Sequence, residues 1–170
     1  MTNRIGSYAV LSCLDHFGDE KNDLLYREAI KNLFHVAINE VGALQKLRSA
    51  ENVIDLHSLM YGELIFSRLK GHYARLSLQN VGCHVVEKCV NSHGRDYVFE
   101  ELMESNILSR VAKDQHGNYV LQTAFKVAKE AGSPYYEEIL KKLAENPASL
   151  NARFGKYIYN LISAESFLKN

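Results

Sequence analysis

Apolar residues recur along most of the chain with the three- and four-residue spacing of amphipathic helices, and this spacing predicts an all-α protein. Helical segments are predicted at residues 63–70, 83–90, 96–104, 107–112, 118–129 and 134–145. The only two prolines, Pro134 and Pro147, leave most of the chain open to long helices. Ser133 and Pro134 suit the beginning of the last predicted helix, and Asn146 before Pro147 suits its end.

A glycine motif recurs at nearly regular intervals. It consists of a glycine, any residue, usually an aromatic residue, and then an apolar pair or near-pair. Its glycines are Gly6, Gly42, Gly82, Gly117 and Gly155, which are 36, 40, 35 and 38 residues apart. A period in the middle thirties with helical content predicts an α-solenoid in which each unit contributes about three helical pieces.

Charge and cysteine content narrow the class of protein further. Twenty basic and 20 acidic residues give a formal net charge of zero, which counts mildly against nucleic-acid binding without excluding a local basic face. The cysteines, Cys13, Cys83 and Cys89, are odd in number, and neither a signal peptide nor an apolar run of about 20 residues accompanies them. We therefore expect reduced thiols, a cytoplasmic or alternatively nuclear location, and no membrane partner.

The glycine motif is most complete in three stretches. They are residues 80–90, NVGCHVVEKCV; residues 114–122, DQHGNYVLQ; and residues 151–162, NARFGKYIYNLI. The first two resemble the signature of a Pumilio (PUF) family repeat, and the third resembles the C-terminal half-repeat of that family. The resemblance implies one partial repeat domain over residues 1–170. Its units lie at about residues 1–35 and 36–75, both degenerate, 76–111 and 112–148, both strong, and 149–170, the half-repeat.

The resemblance implies a right-handed α-solenoid crescent of three-helix repeats. The second helix of each repeat would line a concave face that binds single-stranded RNA, with one base for each repeat and the RNA antiparallel to the protein. Family members regulate the translation and stability of messenger RNA, typically through 3′ untranslated regions. Messenger RNA is therefore the implied partner, and the convex face and the open N-terminal end are candidate surfaces for protein partners.

In the fourth unit, the resemblance assigns base recognition to positions i, i+1 and i+4 of one helix. Residues i and i+4 share a face, so Asn118 and Gln122 can contact one base edge, while the ring of Tyr119 can stack between neighbouring bases. Both amides can donate and accept, which matches the edge of uracil. This set resembles the uracil code of the family.

In the third unit the corresponding edge residues are Cys83 and Glu87, and the stacking residue is His84. A carboxylate can accept two hydrogen bonds from guanine, and the small Cys83 leaves room for the base. This set resembles the guanine code, and antiparallel binding then predicts a core of 5′-UG-3′.

The other units carry single candidate residues. Tyr8 and Tyr157 occupy the stacking position in the first unit and in the half-repeat, and Lys156 and Arg153 are candidates for phosphate contact. Because Gly6 lies so near the start of the chain, the first unit lacks its leading helix. We expect this to limit stability or to favour association at that end.

Three alternatives remain beside RNA binding. Zinc ligation by Cys83, His84, Cys89 and His93 is disfavoured, because only Cys89 and His93 could share a helix face and about four ligands are needed. No metal or other cofactor is therefore expected. Without a G-x-S-x-G, P-loop or H-E-x-x-H motif, no enzymatic activity is expected either. The main alternative is a degenerate solenoid that binds proteins and not RNA, which the neutral charge favours.

Overall fold

The computed structural model describes residues 59–80, 82–104, 107–151 and 153–168, and the regular elements in these ranges are all helical. They are α1 (Leu59–Leu69), α2 (Tyr73–Leu76), α3 (Gly82–Val90), α4 (Arg95–Glu104), α5 (Leu108–Lys113), α6 (Gly117–Glu130), α7 (Tyr135–Ala144), a 3-10 helix (Pro147–Leu150) and α8 (Lys156–Leu168). The helices predicted from residue 63 onwards are confirmed, with boundaries that differ by a single residue except at the start of α1. Tyr8 and the degenerate unit at residues 1–35 lie outside the described residues.

The chain divides into two compact units, Met1–Leu69 and Lys70–Asn170, and α1 belongs to the first of them. Helix α1 is amphipathic, as predicted, since Ile65, Phe66 and Leu69 are buried while Ser67 and Arg68 are exposed. None of the described helices is long and apolar enough to span a lipid bilayer.

The second unit contains the same helical arrangement twice, followed by the beginning of a third copy. The α2–α4 repeat is followed by the α5–α7 repeat, and the 3-10 helix and α8 then resume the pattern. Helices of equivalent position pack against each other: α3 against α6, α4 against α7, and α5 against the 3-10 helix. Such packing between successive units is the defining arrangement of an α-solenoid.

The interior of this stack is formed by apolar side chains from every helix. The largest that are fully buried are Tyr73, Leu76, Phe99, Leu102, Leu121, Ile139, Leu150 and Ile158. Each buried side chain of this size contributes about 1.5–3 kcal/mol to stability. The apolar residues that recur with helical spacing in the sequence therefore form the core of this stack of helices.

Glycine stands at the start of α3 and α6 and directly before α8, because the chain there passes very close to the backbone of the preceding short helix. A Cβ atom added at the glycine would lie 2.4–2.6 Å from a carbonyl oxygen, a distance that real Cβ atoms do not adopt. The pairs of glycine and carbonyl residue are Gly82 with Leu76, Gly117 with Val111, and Gly155 with Leu150. The glycine motif of the sequence thus marks the contact between the first and second helix of each repeat.

The turn between α6 and α7 follows the expected stop and start signals. Gly132 has φ of +59°, a left-handed conformation that favours glycine, and the N–H of Ser133 donates to the carbonyl oxygen of Ala128 at 2.9 Å. Ser133 Oγ then accepts a hydrogen bond from the N–H of Tyr135 at 3.4 Å, and Pro134 is already in helical conformation. The helix start predicted at Pro134 is confirmed to within one residue: Pro134 is the N-cap residue, the helix begins at Tyr135, and Ser133 lies one position before the cap.

Candidate nucleic-acid interface

The first turns of α3 and α6 present equivalent residues in equivalent environments. Position i, directly after the glycine, is buried in both helices: Cys83 is 3% exposed and Asn118 is 4% exposed. Position i+1 is exposed, with His84 in α3 and Tyr119 in α6. Position i+4 is half-buried, with Glu87 and Gln122. The structure therefore brings together the residues that the sequence assigned to each recognition set.

Exposed rings mark the same position in the second helices. Tyr119 and Tyr157 are 58% and 53% exposed and are the large hydrophobic side chains of the described residues that face solvent most. The His84 side chain, at the matching place in α3, is 60% exposed. Exposed aromatic rings of this kind can stack on the faces of nucleic-acid bases without regard to base identity.

The start of α6 is held by Asp114, which lies in the turn before the helix. Its Oδ1 accepts hydrogen bonds from the backbone N–H groups of His116 at 2.8 Å and Gly117 at 3.0 Å. These N–H groups would otherwise lack partners, because the first turn of a helix has none within the helix. Asp114 therefore fixes the beginning of the helix that carries the recognition set.

The Asn118 side chain makes three hydrogen bonds within the protein. Its Nδ2 donates to the carbonyl oxygens of Asp114 at 2.8 Å and Gln115 at 3.0 Å. Its Oδ1 accepts a hydrogen bond from Gln122 Nε2 at 2.8 Å. The sequence predicts that both amides are available to a base, whereas in the structure the two donors of Asn118 are already paired with the backbone.

Cys83 occupies the place of Asn118 in α3 and makes the corresponding contact. Its Sγ donates to the carbonyl oxygen of Asn80 at 3.3 Å, and Asn80 corresponds to Gln115 in the next repeat. Burial, followed by the nearby charge of Glu87, raises the pKa of the Cys83 thiol to about 11. The thiol is consequently protonated and uncharged at neutral pH.

The Glu87 carboxylate lies between its own repeat and the next. Its Oε2 is 3.3 Å from His84 Nδ1, and its Oε1 accepts a hydrogen bond from Thr123 Oγ1 of α6 at 3.5 Å. Thr123 was not singled out from the sequence, because it lies 36 residues from Glu87 and no local pattern connects them. Thr123 is equivalent to Lys88 in the 35-residue repeat, and Lys88 directly follows Glu87. This repeat offset is the sequence signal that could have indicated that Thr123 lies near Glu87.

The candidate phosphate-binding residues lie at the start of α8. Lys156 and Arg153 are both exposed, and the Arg153 guanidinium lies over the Phe154 ring with 5.0 Å to its centroid. Such stacking orients the cation while leaving its N–H groups available. In the ranges that the structure describes, no group of three or more histidine, cysteine or acidic residues is arranged to hold a metal ion.

Stacked helical repeats, with an exposed ring beside a polar side chain in consecutive repeats, define an α-solenoid with a candidate surface for nucleic-acid bases. Consistent with this class, the chain matches the family model for the Pumilio-family RNA binding repeat at residues 1–30, 72–103 and 109–131. The chain belongs to the Pumilio (PUF) family. Membership of this family of RNA-binding repeats makes it a binding protein and not an enzyme.

Similar proteins of known sequence come from Arabidopsis thaliana. The putative pumilio homolog 21 is 27% identical over 163 residues, which cover 94% of this chain and 31% of that protein. Pumilio homolog 12 is 26% identical over 168 residues, which cover 96% of this chain and 27% of that protein. The chain therefore spans about a third or less of the length of these two relatives.

Solved structures with the same fold are those of Puf RNA-binding domains. The RNA-binding domain of yeast Puf5p bound to AAT2 RNA has a TM-score of 0.76 at 23% identity, covering 92% of this chain and 44% of that chain. The Puf4 RNA-binding domain bound to an HO endonuclease RNA 3′ UTR recognition sequence has a TM-score of 0.74 at 20% identity, covering 100% and 52%. The predicted all-α solenoid fold is confirmed by these similarities.

Proposed function

We propose that this chain binds single-stranded RNA, with one base facing the start of α3 and one facing the start of α6. The observation that carries this proposal is that the two helix starts have the same environment, in which an exposed ring lies beside a polar side chain. The ring and the polar side chain of α6 each lie 35 residues after the equivalent residue of α3. Stacking on His84 and Tyr119 would supply affinity for any base, and the polar atoms at Glu87 and Gln122 would supply the choice of base.

The proposed core is 5′-UG-3′, with guanine at Glu87 and uracil at Gln122. The Glu87 carboxylate has acceptor capacity beyond its contacts with His84 and Thr123, and guanine offers N–H donors from its ring and its amino group. Gln122 retains one donor and one acceptor beyond its hydrogen bond to Asn118, which suits the N–H and carbonyl edge of uracil. The order of the two bases follows from the antiparallel binding that the family resemblance implies.

We further propose messenger RNA as the target and control of translation or stability as the consequence. Support comes from the family membership and from the Puf4 structure, whose RNA is a 3′ UTR recognition sequence. Because the chain spans only part of its relatives, these roles belong to the proposal for the whole protein.

A titration of labelled RNA tests the proposed binding. We expect the chain to bind an oligonucleotide carrying UG more tightly than one carrying CC in the same context. Substitution Tyr119→Ala should weaken binding to both RNAs by about fivefold or more, because stacking is independent of base identity. Lys141→Ala, at an exposed position of α7, serves as the control and should leave both affinities unchanged.

A folded chain that binds neither RNA would contradict the proposal and leave a protein-interaction solenoid as the better interpretation. Binding without preference for UG, together with no loss in Tyr119→Ala, would contradict base recognition by these helices.

A further inference from the structure

The turn between α6 and α7 carries a serine directly before a proline. The two prolines of the chain are preceded by Ser133 and by Asn146, so Ser133 is the one hydroxyl residue of the sequence that precedes a proline. The proposed RNA contacts use neither Ser133 nor Pro134. A serine followed by proline is the sequence that defines an acceptor for proline-directed protein kinases.

This turn is open to solvent. Ala131, Gly132 and Pro134 are exposed, and Ser133 is half-buried. Gly132 has φ of +59°, so the backbone leaves the direction of α6 just before Ser133. None of these four residues belongs to the buried core. Another protein can therefore approach the Ser133 side chain without displacing core residues.

The Ser133 hydroxyl also differs from most serine hydroxyls of the described residues in its hydrogen bonds. It accepts the N–H of Tyr135 at 3.4 Å, and within the described ranges it donates to no protein atom. Ser109 likewise donates to none, but it precedes Arg110 and not a proline. Five other serines donate to a carbonyl oxygen three or four residues earlier, at 2.8–3.1 Å: Ser67, Ser77, Ser92, Ser149 and Ser163. The proton of Ser133 can thus be removed without loss of a hydrogen bond that the hydroxyl donates within the fold.

Only the first turn of α7 opposes an extended conformation around Ser133, as a kinase active site requires. The N–H of Tyr136 donates to the Ser133 carbonyl oxygen, and the N–H of Glu138 donates to the Pro134 carbonyl oxygen, both at 3.2 Å. Pro134 has no N–H and adds no further donor. Helix ends open at little cost in free energy, so the folded protein can present this segment.

We propose that Ser133 is the acceptor of a phosphoryl group transferred by a proline-directed protein kinase. The Oγ–H proton passes to a base of the kinase, and Oγ forms a bond to the γ-phosphorus of a nucleoside triphosphate. The bond from that phosphorus to the bridging oxygen breaks, which releases the nucleoside diphosphate. This proposal goes beyond RNA binding and does not depend on it.

The phosphoryl group would give the turn a charge of about −2. Residues 131–134 are uncharged without it. The first-turn N–H groups of α7 favour an anion at this place, as does Lys129, whose Nζ lies 5.3 Å from the centroid of the Tyr136 ring. Glu137 and Glu138, in the first turn of α7, disfavour it. Because these effects oppose each other, we expect the modification to change the surface charge of the turn and to leave the fold intact.

Helix α6 separates Ser133 from the RNA recognition set. Asn118 and Glu130 lie near opposite ends of this helix, roughly 18 Å apart along its axis. That separation exceeds the distance of about 8 Å over which salt screens charges at physiological ionic strength. Phosphorylation of Ser133 should therefore change the affinity for RNA by less than about twofold.

Incubation of the folded chain with a purified proline-directed kinase and ATP, followed by mass spectrometry of the intact protein and its peptides, tests the proposal. The wild type should gain one phosphoryl group, on Ser133, and Ser133→Ala should gain none. Pro134→Ala, which keeps the hydroxyl, should be modified at least about tenfold more slowly. Ser149→Ala is the control: it removes a half-buried serine that donates to Asn146, and it should behave like the wild type.

No transfer to the wild type, or an equal rate in Pro134→Ala, would overturn the proposal. Gly117→Ala, whose added Cβ would meet the Val111 carbonyl oxygen, shows whether the folded turn or the unfolded chain is the substrate. Its rate of modification should equal that of the wild type. A rate that rises with the unfolded fraction would overturn the assignment of the folded turn as acceptor.

Discussion

At the scale of single residues, burial is least expected at the first position of the recognition set in α6. Asn118 is a polar residue at the start of an amphipathic helix, yet it is buried and makes three hydrogen bonds within the protein. Cys83, in the same place, is buried as well. The residues four positions later, Glu87 and Gln122, are half-buried and therefore more accessible to a base than the residue at the first position.

Exchange of the α3 set for the α6 set is expected to change the base that α3 prefers. The double substitution Cys83→Asn and Glu87→Gln replaces a carboxylate, which accepts from guanine, by an amide pair that matches uracil. The preference at that position should move from G towards U by about tenfold or more. Parallel titrations with RNAs carrying G or U there provide the measurement. An unchanged preference for G would mean that this helix face does not contact the base.

At the scale of elements, the repeat is defined by how closely its second helix approaches the first. The glycine at each helix start permits this approach. Asp114 adds a cap at the start of α6, and the equivalent position before α3 is occupied by Gln79. The exposed ring at i+1 is presented correctly only if the helix starts at the same place in each repeat. We therefore expect stability and the proposed base recognition to be coupled at these glycines.

The substitution Gly117→Ala should destabilise the protein because the new Cβ atom would lie 2.6 Å from the Val111 carbonyl oxygen and 2.9 Å from its Cγ1. Neither the backbone nor the buried Val111 side chain can move freely, so the cost should be about 1–3 kcal/mol. Urea denaturation followed by circular dichroism measures this change. Lys126→Ala, exposed on the same helix, is the control and should change stability by less than about 0.5 kcal/mol. Equal stability of the two variants would show that the contact is easily relieved.

At the scale of the whole molecule, two recognition sets and a neutral net charge set limits on the affinity for RNA. Each set can contribute about 2–4 kcal/mol from stacking and edge contacts, and two sets give about 4–8 kcal/mol. A formal net charge of zero provides no long-range attraction for phosphates. Additional repeats or a partner would be required for tight binding.

The dissociation constant for a short RNA carrying UG should accordingly lie between about 1 mM and 1 μM. Isothermal titration calorimetry at moderate salt is a suitable measurement. A nanomolar constant would mean that the N-terminal units, whose recognition positions lack a polar pair in the sequence, contribute substantially.

The salt dependence of binding should report on Lys156 and Arg153. Each phosphate contact on a single strand contributes about 0.7 to the slope of the logarithm of affinity against the logarithm of salt concentration. Lys156→Ala and Arg153→Ala should each reduce the slope by about this amount, without changing the preference for UG. A slope that is unaffected by both substitutions would place the phosphate contacts elsewhere.

Much of the fold and of the site could be predicted because the signals are local. Helical spacing indicated the helices of residues 83–144 within one residue at each end, and the glycine period indicated which of them are equivalent. The spacing i, i+1 and i+4 placed Asn118, Tyr119 and Gln122 at one helix start, because helix geometry determines which residues are neighbours. The family could be identified from the same motif.

The sequence by itself thus determined the helical class, the repeat and which candidate residues share one helix start, since these depend on contacts within one or two helical turns. The hydrogen bonds of Asn118 to Asp114 and Gln115 are also local, but they depend on the backbone conformation of the turn before α6, which side-chain spacing does not describe. Only the tertiary structure decided the contact between Glu87 and Thr123, which lie 36 residues apart, because it forms where two repeats stack.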